Sequence, residues 1–176
     1  FNNIDTLDVS ACSKLTTLSC GNNPLISLNV AGCDSLQSMY ANFTPLTAIN
    51  VSNNGNLISL YVQNNQLSSL DLSGNLKLRT LLSVYNPLTN LNIANNTELE
   101  ILIVRNNLLT TMDLSNLPNI SLLEIDSNNL TYDSTLGFQE HIGFRNGCCT
   151  PFYLYSHKTN ESTSVIEHPL TVMDCS

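Results

Sequence analysis

"LTTLSCGNNPLISLNVAGCDS" occupies residues 15–35, and the stretch directly after it, 36–56, reads "LQSMYANFTPLTAINVSNNGN". Apolar letters and Asn-rich patches fall in nearly the same places in both. Extending the alignment outward puts Leu15, Leu36, Leu57, Leu78, Leu99 and Ile120 at one constant interval, the length of the quoted stretch. Five complete units follow one another, and a sixth begins and stops near Leu130. Residues 1–14 fit the second half of an earlier unit, with Ile4, Leu7 and Val9 in register. A fixed period of this length is the signature of a stacked-coil architecture.

Counting from the first Leu of each unit, the apolar positions are 1, 4, 6, 11, 14 and 16. Position 4 is Leu18, Met39, Leu60, Leu81, Leu102 and Leu123; position 11 is Leu25, Leu46, Leu67, Leu88, Leu109 and Leu130. The 4-to-6 and 14-to-16 spacings are those of strands, in which alternate residues share a face. The rest of the unit carries Gly, Asn and β-branched residues where a helix would need strong helix formers. A short strand on one side and an extended or tightly turning return on the other are expected. One unit cannot bury six apolar side chains alone, whereas stacked coils can, each Leu packing on its copy in the next coil. The period is then the circumference of one coil, and the coils should lie about 4.8 Å apart.

Position 9 is Asn23, Thr44, Asn65, Asn86, Asn107 and Asn128. An Asn recurring beside buried Leu can turn inward and satisfy backbone groups freed where the strand ends, forming a structural ladder. Thr44 interrupts that column and should bond less completely. Position 15, Asp8, Asn29, Asn50, Asp71, Asn92 and Asp113, could be read as a calcium column. Calcium wants six to eight converging oxygens, which a flat ladder does not supply, so turn hydrogen bonding is expected instead.

The pattern L-x-x-L-x-[C/V/I]-x-x-N-x-L resembles the leucine-rich repeat. "TLDVSAC" (6–12), "SLDLSGN" (69–75) and "TMDLSNL" (111–117) are similar to the 21-residue variety of Bacteroidetes-type bacterial surface proteins. The resemblance covers residues 1–131. It implies a mainly β, curved solenoid with a parallel sheet on its concave face, used as a protein- or glycan-binding scaffold at a cell surface, with no catalytic residues. Ligand identity rests on the variable positions, because the repeat itself is architecture.

Those variable positions are not neutral. With positions 4 and 6 inward, positions 3, 5 and 7 point out from the sheet, and 2 and 8 flank it. Position 5 reads Ser19, Tyr40, Tyr61, Leu82, Ile103 and Glu124; position 8 adds Phe43 and Tyr85, and position 7 adds Val84 and Arg105. The candidate binding patch is therefore Tyr40, Phe43, Tyr61, Leu82, Tyr85, Ile103 and Arg105, an apolar and aromatic surface of the kind used in recognition. The competing reading is that such residues simply suit strand surfaces, or that the C-terminal segment folds over them. Arg79, Glu100 and Arg105 lie at the rim.

Composition narrows the function further. The chain has 176 residues, 42% of them apolar and only 11% charged, with 14 Asp and Glu against six Lys and Arg. A net charge of −8 repels nucleic acid and anionic membranes, so neither is expected as a partner. No apolar run reaches the roughly 18–20 residues of a membrane-spanning helix. No stretch reads as a signal peptide, and a chain beginning at Phe1 is expected to be a mature or trimmed form. The open first coil exposes strand edges, and self-association through it into a larger assembly or fibre is the alternative function.

Cys12 and Cys33 both occupy position 19, one coil apart and within disulfide reach; a bridge and two stacked buried thiols are both open. Cys20 sits at the inward position 6 and reads as a small core residue. Cys148, Cys149 and Cys175 lie beyond the repeats, where one of the vicinal pair could bond Cys175. Six N-x-[S/T] sequons begin at Asn42, Asn50, Asn95, Asn119, Asn129 and Asn160. With 26 Asn in the chain, chance alone gives a similar number, so they carry no weight as glycosylation signals.

From Tyr132 the period disappears, and residues 132–176 are expected to form a small irregular C-terminal cap. "YDSTLGFQEHIGF" (132–144) could hold a short helix, while "PFYLYSH" (151–157) and "STSVIEHPLTVMD" (162–174) alternate like strands. His141, His157 and His168 have no metal-ligand spacing, and no metal or other cofactor is expected. Nothing resembles a nucleophile elbow, a phosphate loop or a metal signature. Glu124 and Asp126 would need an opposing carboxylate across a cleft to act as a glycosidase pair. An enzyme is not expected.

Overall fold

The computed structural model describes residues 2–130 and the short strands at 135–136 and 154–155. The expected cap residues outside those strands, with Cys148, Cys149, Cys175 and the three His, lie outside the described residues. Among the described residues there is no helix. The strands in chain order are β1 (Thr6–Asp8), β2 (Thr17–Ser19), β3 (Ser27–Asn29), β4 (Ser38–Tyr40), β5 (Ser59–Tyr61), β6 (Thr80–Leu82), β7 (Ile101–Ile103), β8 (Met112–Asp113), β9 (Leu122–Glu124), β10 (Thr135–Leu136) and β11 (Leu154–Tyr155).

Seven of them form one parallel sheet in the order β11-β9-β7-β6-β5-β4-β2. Its register is one coil per step: Leu18 pairs with Met39, Met39 with Leu60, then Leu81, Leu102 and Leu123 in turn. Because the register equals the repeat, every position of the unit stacks on its own copy, and the apolar columns close into one continuous core. Met39, Leu60, Leu81 and Leu102 are fully buried, as are Leu46, Leu67, Leu88 and Leu109 on the far side of the strand turn. The chain is a leucine-rich-repeat solenoid in fold: mainly β, with a parallel sheet along one face.

The returns are built from tight turns. The N–H of position 19 donates to the position 16 carbonyl, and the N–H of position 1 donates to the position 19 carbonyl: Asn54 to Val51 at 2.9 Å and Leu57 to Asn54 at 3.0 Å, repeated at Asn75, Leu78, Asn96 and Leu99. Position 15 locks the entry to these turns. Its side-chain oxygen accepts the N–H of position 17 in every coil, as at Asp71 from Ser73 (2.9 Å) and Asn92 from Ala94 (3.1 Å). This is the local side-chain turn that Asp and Asn favour, so the column serves turn bonding.

One expectation about the tail changes, and one holds, since 151–157 was expected to contain a strand. Thr135–Leu136, inside the stretch read as a possible helix, is a strand paired in parallel with β8. Leu154–Tyr155 pairs with β9 and adds a seventh strand to the sheet. The ladder thus continues beyond Leu130, but its spacing lengthens: Met112 pairs with Thr135 and Leu123 with Leu154, each partner lying farther along the chain than one repeat would place it.

Candidate functional site

The position 9 ladder holds the strand ends in place. Asn65 donates from Nδ2 to the carbonyl of Val62 in its own coil (2.9 Å) and to that of Ala41 in the coil before (2.8 Å), while its Oδ1 accepts the Leu46 N–H (3.2 Å). Asn107 repeats the pattern with Val104, Ser83 and Leu88, and Asn128 with Ile125, Val104 and Leu109. Asn86 uses Val62, the Ser83 hydroxyl and Leu67. Asn23 donates to Cys20 at 2.9 Å. Thr44 does fall short: its hydroxyl proton is shared between Ala41 O at 3.2 Å and Asn65 Oδ1, and it makes no hydrogen bond to the preceding coil among the described residues.

A second ladder, which the sequence reading missed, runs along position 19. Asn54 donates from Nδ2 to Val30 and Cys33 carbonyls, Asn75 to Val51 and Asn54, and Asn96 to Leu72 and Asn75. The signal is present in the sequence, since Asn recurs there three times after Cys12 and Cys33 in the same column. Cys33 takes the Asn role, its thiol donating to the Val9 carbonyl at 3.1 Å. The Cys12–Cys33 bridge is not formed: both are free thiols, and Cys12 is exposed rather than stacked in the interior. With its proton committed to Val9, the Cys33 sulfur serves the ladder. Cys20 is buried, as expected, and burial pushes its thiol up to about 11.

These ladders fix the outward face of the sheet. Position 5 presents Tyr40, Tyr61, Leu82 and Ile103 in consecutive strands, each half-buried by its neighbours. Tyr40 and Tyr61 stack with ring centroids 4.7 Å apart and planes 24° from parallel. Position 3 lays a row of hydroxyls alongside, Thr17, Ser38, Ser59 and Thr80, which gives way to Ile101 and Leu122. Arg105 contacts Glu124 of the next strand at 3.5 Å, and Arg79 lies 3.4 Å from both Glu98 and Glu100. Val84, expected on this face, is buried instead. Gln63 Oε1 is buried with no partner among the described residues.

Position 8 carries the most informative geometry. The chain leaves each strand through one residue in the left-handed region: Asn22, Phe43, Asn64, Tyr85, Asn106 and Ser127 have φ between 54° and 57°. Asn tolerates that conformation through local hydrogen bonding, and bulky side chains do not. Three coils obey the rule. Phe43 and Tyr85 break it, and they are not buried in compensation: they are 52% and 57% exposed. Their N–H groups donate to Gln63 O at 2.9 Å and Arg105 O at 3.3 Å, so each turn is held by the next coil. Phe43 lies in the same coil as Tyr40, and Tyr85 in the same coil as Leu82.

Asp8, Asp71 and Asp113 are held below the usual carboxylate range by hydrogen bonds from the Ser two residues on. Among the described residues no cluster of His, Cys, Asp and Glu is arranged to hold a metal ion.

Comparison with known proteins agrees with this geometry. No protein-family model matches the chain, and no curated protein does. Solved structures match over most of the repeats. The functional domain of InlJ from Listeria monocytogenes, which includes a cysteine ladder, is 30% identical, with a TM-score of 0.70 over 72% of this chain and 28% of that one. The internalin InlF from the same organism is 26% identical, with a TM-score of 0.63 over 72% and 40%. A chain of the Drosophila Toll–Spatzle complex, 23% identical, shares the fold with a TM-score of 0.67 over 78% and 23%. The chain spans well under half the length of each. It is a leucine-rich-repeat protein.

Proposed function

We propose that this leucine-rich-repeat protein is a non-enzymatic recognition module, extracellular or at a cell surface, that binds a protein or glycan through the outward face of its parallel sheet. The observation that carries the reading is the pair Phe43 and Tyr85. Folding alone selects Asn at their left-handed positions, as in three sister coils. An aromatic there costs stability and stands in water, and backbone strain at such positions accompanies functional sites. Tyr40, Tyr61, Leu82 and Ile103 continue the surface, and Arg105 sets a polar rim. Large rigid aromatics bordered by polar groups are what binding hot spots use. The company of internalins and of a chain from a complex of Toll with Spatzle supports protein recognition outside the cell.

The test is capture from a glycan panel and from cell-surface extracts by the wild type and by a folded Tyr40→Ser/Tyr61→Ser/Tyr85→Ser variant. Partners held by the wild type and lost by the variant support the reading. Equal capture by both places recognition elsewhere on the chain. No capture by either, with mass rising as concentration rises, favours end-to-end assembly.

A further inference from the structure

The return side of the solenoid is not closed evenly. Return strands pair at β1–β3 and at β8–β10, whereas residues 69–71 and 90–92 of the neighbouring middle coils form no strand pair. The backbone bond just before them, from the Thr89 N–H to Ser68 O, is stretched to 3.5 Å. A cleft of about 260 Å³ opens there, away from the sheet face, with Leu70, Asp71 and Ser73 on one coil and Asn90, Asn92 and Asn95 on the next.

Asn96 also lines the cleft and is 1% exposed. Its Nδ2 donates to Leu72 O at 3.2 Å and Asn75 O at 2.9 Å, and its Oδ1 accepts no hydrogen bond among the described residues. In Asn54 and Asn75 the same oxygen is sealed in the interior without a partner. Asn96 is among the residues that line the cleft, where a ligand donor can approach its side chain.

The lining says which kind. Amides and hydroxyls both give and take hydrogen bonds, as sugar hydroxyls do, and the Asp71 carboxylate stays ionised to accept from a diol. Leu70 offers a small apolar surface to a ring's C–H face. A calcium ion would need six to eight oxygens, but only one carboxylate is present. One oxygen of Asp71 is committed to Ser73 N–H, and Asn92 Oδ1 to Ala94 N–H. The volume lies just under the roughly 300–1,000 Å³ of sites for larger ligands. We propose that the cleft between residues 69–73 and 90–96 binds a single monosaccharide-sized sugar residue, at a site separate from the sheet face.

The test titrates the isotope-labelled full chain with glucose, galactose, mannose and N-acetylglucosamine, and separately with calcium chloride, following backbone amides by NMR. At least one sugar should shift the amides of 70–73 and 90–96. Asp71→Asn, which keeps the turn acceptor, and Asn95→Ala, at an exposed side chain, should each weaken that binding about tenfold or more while the remaining spectrum stays that of the wild type. The proposal is overturned if no sugar moves these amides, if sugars move only amides of the sheet strands, or if calcium moves the cleft amides and sugars do not.

Discussion

Asn86 Nδ2 lies 2.9 Å from the carbonyl oxygen of Val62, a residue 24 positions earlier and one coil away. With Oδ1 accepting the Leu67 N–H at 3.0 Å, this one side chain pairs two backbone groups of the preceding coil that water cannot reach. Asn86→Ala would strand the Leu67 N–H and leave the Val62 carbonyl with Asn65 Nδ2 as its remaining side-chain donor, and an unpaired buried group costs about 1–3 kcal/mol. Chemical denaturation should show a loss of about 1–3 kcal/mol, against less than about 0.5 kcal/mol for the exposed Asn129→Ala.

Thr44 is the weak rung. The Leu46, Leu67, Leu88 and Leu109 N–H groups each donate to a ladder Asn, and Leu25 has no such acceptor because Thr44 stands where the Asn would be. Thr44→Asn should restore the bonds to Leu25 and to Cys20 O. The expected gain is about 1 kcal/mol, read as a higher denaturation midpoint. An unchanged or lower midpoint would mean the coil geometry there no longer fits Asn.

Two glycines give a matched steric test. A Cβ on Gly74 would come within 2.2 Å of the Ser52 carbonyl oxygen, part of the backbone of the previous coil, whereas one on Gly55 would meet nothing nearer than Gly74 O at 3.6 Å. Gly74→Ala should therefore destabilise by about 1–3 kcal/mol, and Gly55→Ala should be close to neutral. Equal midpoints for the two variants would contradict the close coil packing on the return side.

The cysteines should separate by reactivity. Thiolate is the reactive form, and burial holds Cys20 near 11, so at neutral pH it is almost wholly protonated as well as enclosed. Cys12 is exposed. Peptide mapping after brief alkylation of the native protein should find Cys12 modified and Cys20 and Cys33 intact until denaturant is added. Early labelling of Cys20 would show that the first coil opens readily.

The core was legible because period, apolar spacing and register are one fact stated three ways: a strict repeat stacks best on its own copy. The position 9 ladder was legible for the same reason, Asn recurring beside Leu. The position 19 ladder was equally periodic, but its first two members are cysteines, and disulfide chemistry competed for the reading. The left-handed residues at position 8 were not legible as such. Asn at 22, 64 and 106 hints at that conformation, yet Phe43 and Tyr85 deny it, and only the backbone shows that all six share one φ. In the tail, alternation marked the strand at 154–155 but not its partner, and the strand at 135–136 was not legible, because the steps from Met112 to Thr135 and from Leu123 to Leu154 no longer overlay the repeat.

The most direct test of a recognition role for the sheet face is a paired measurement on Phe43→Asn/Tyr85→Asn. Asn suits the left-handed turn, so this variant should be more stable than the wild type by about 1–2 kcal/mol. Ligand captured by the wild type should bind it at least about tenfold more weakly, while Leu76→Ser, at an exposed apolar side chain away from the sheet, should leave affinity unchanged. Higher stability with lower affinity is the expected result. Higher stability with full affinity would contradict the central claim, because the two strained aromatics would then serve no ligand.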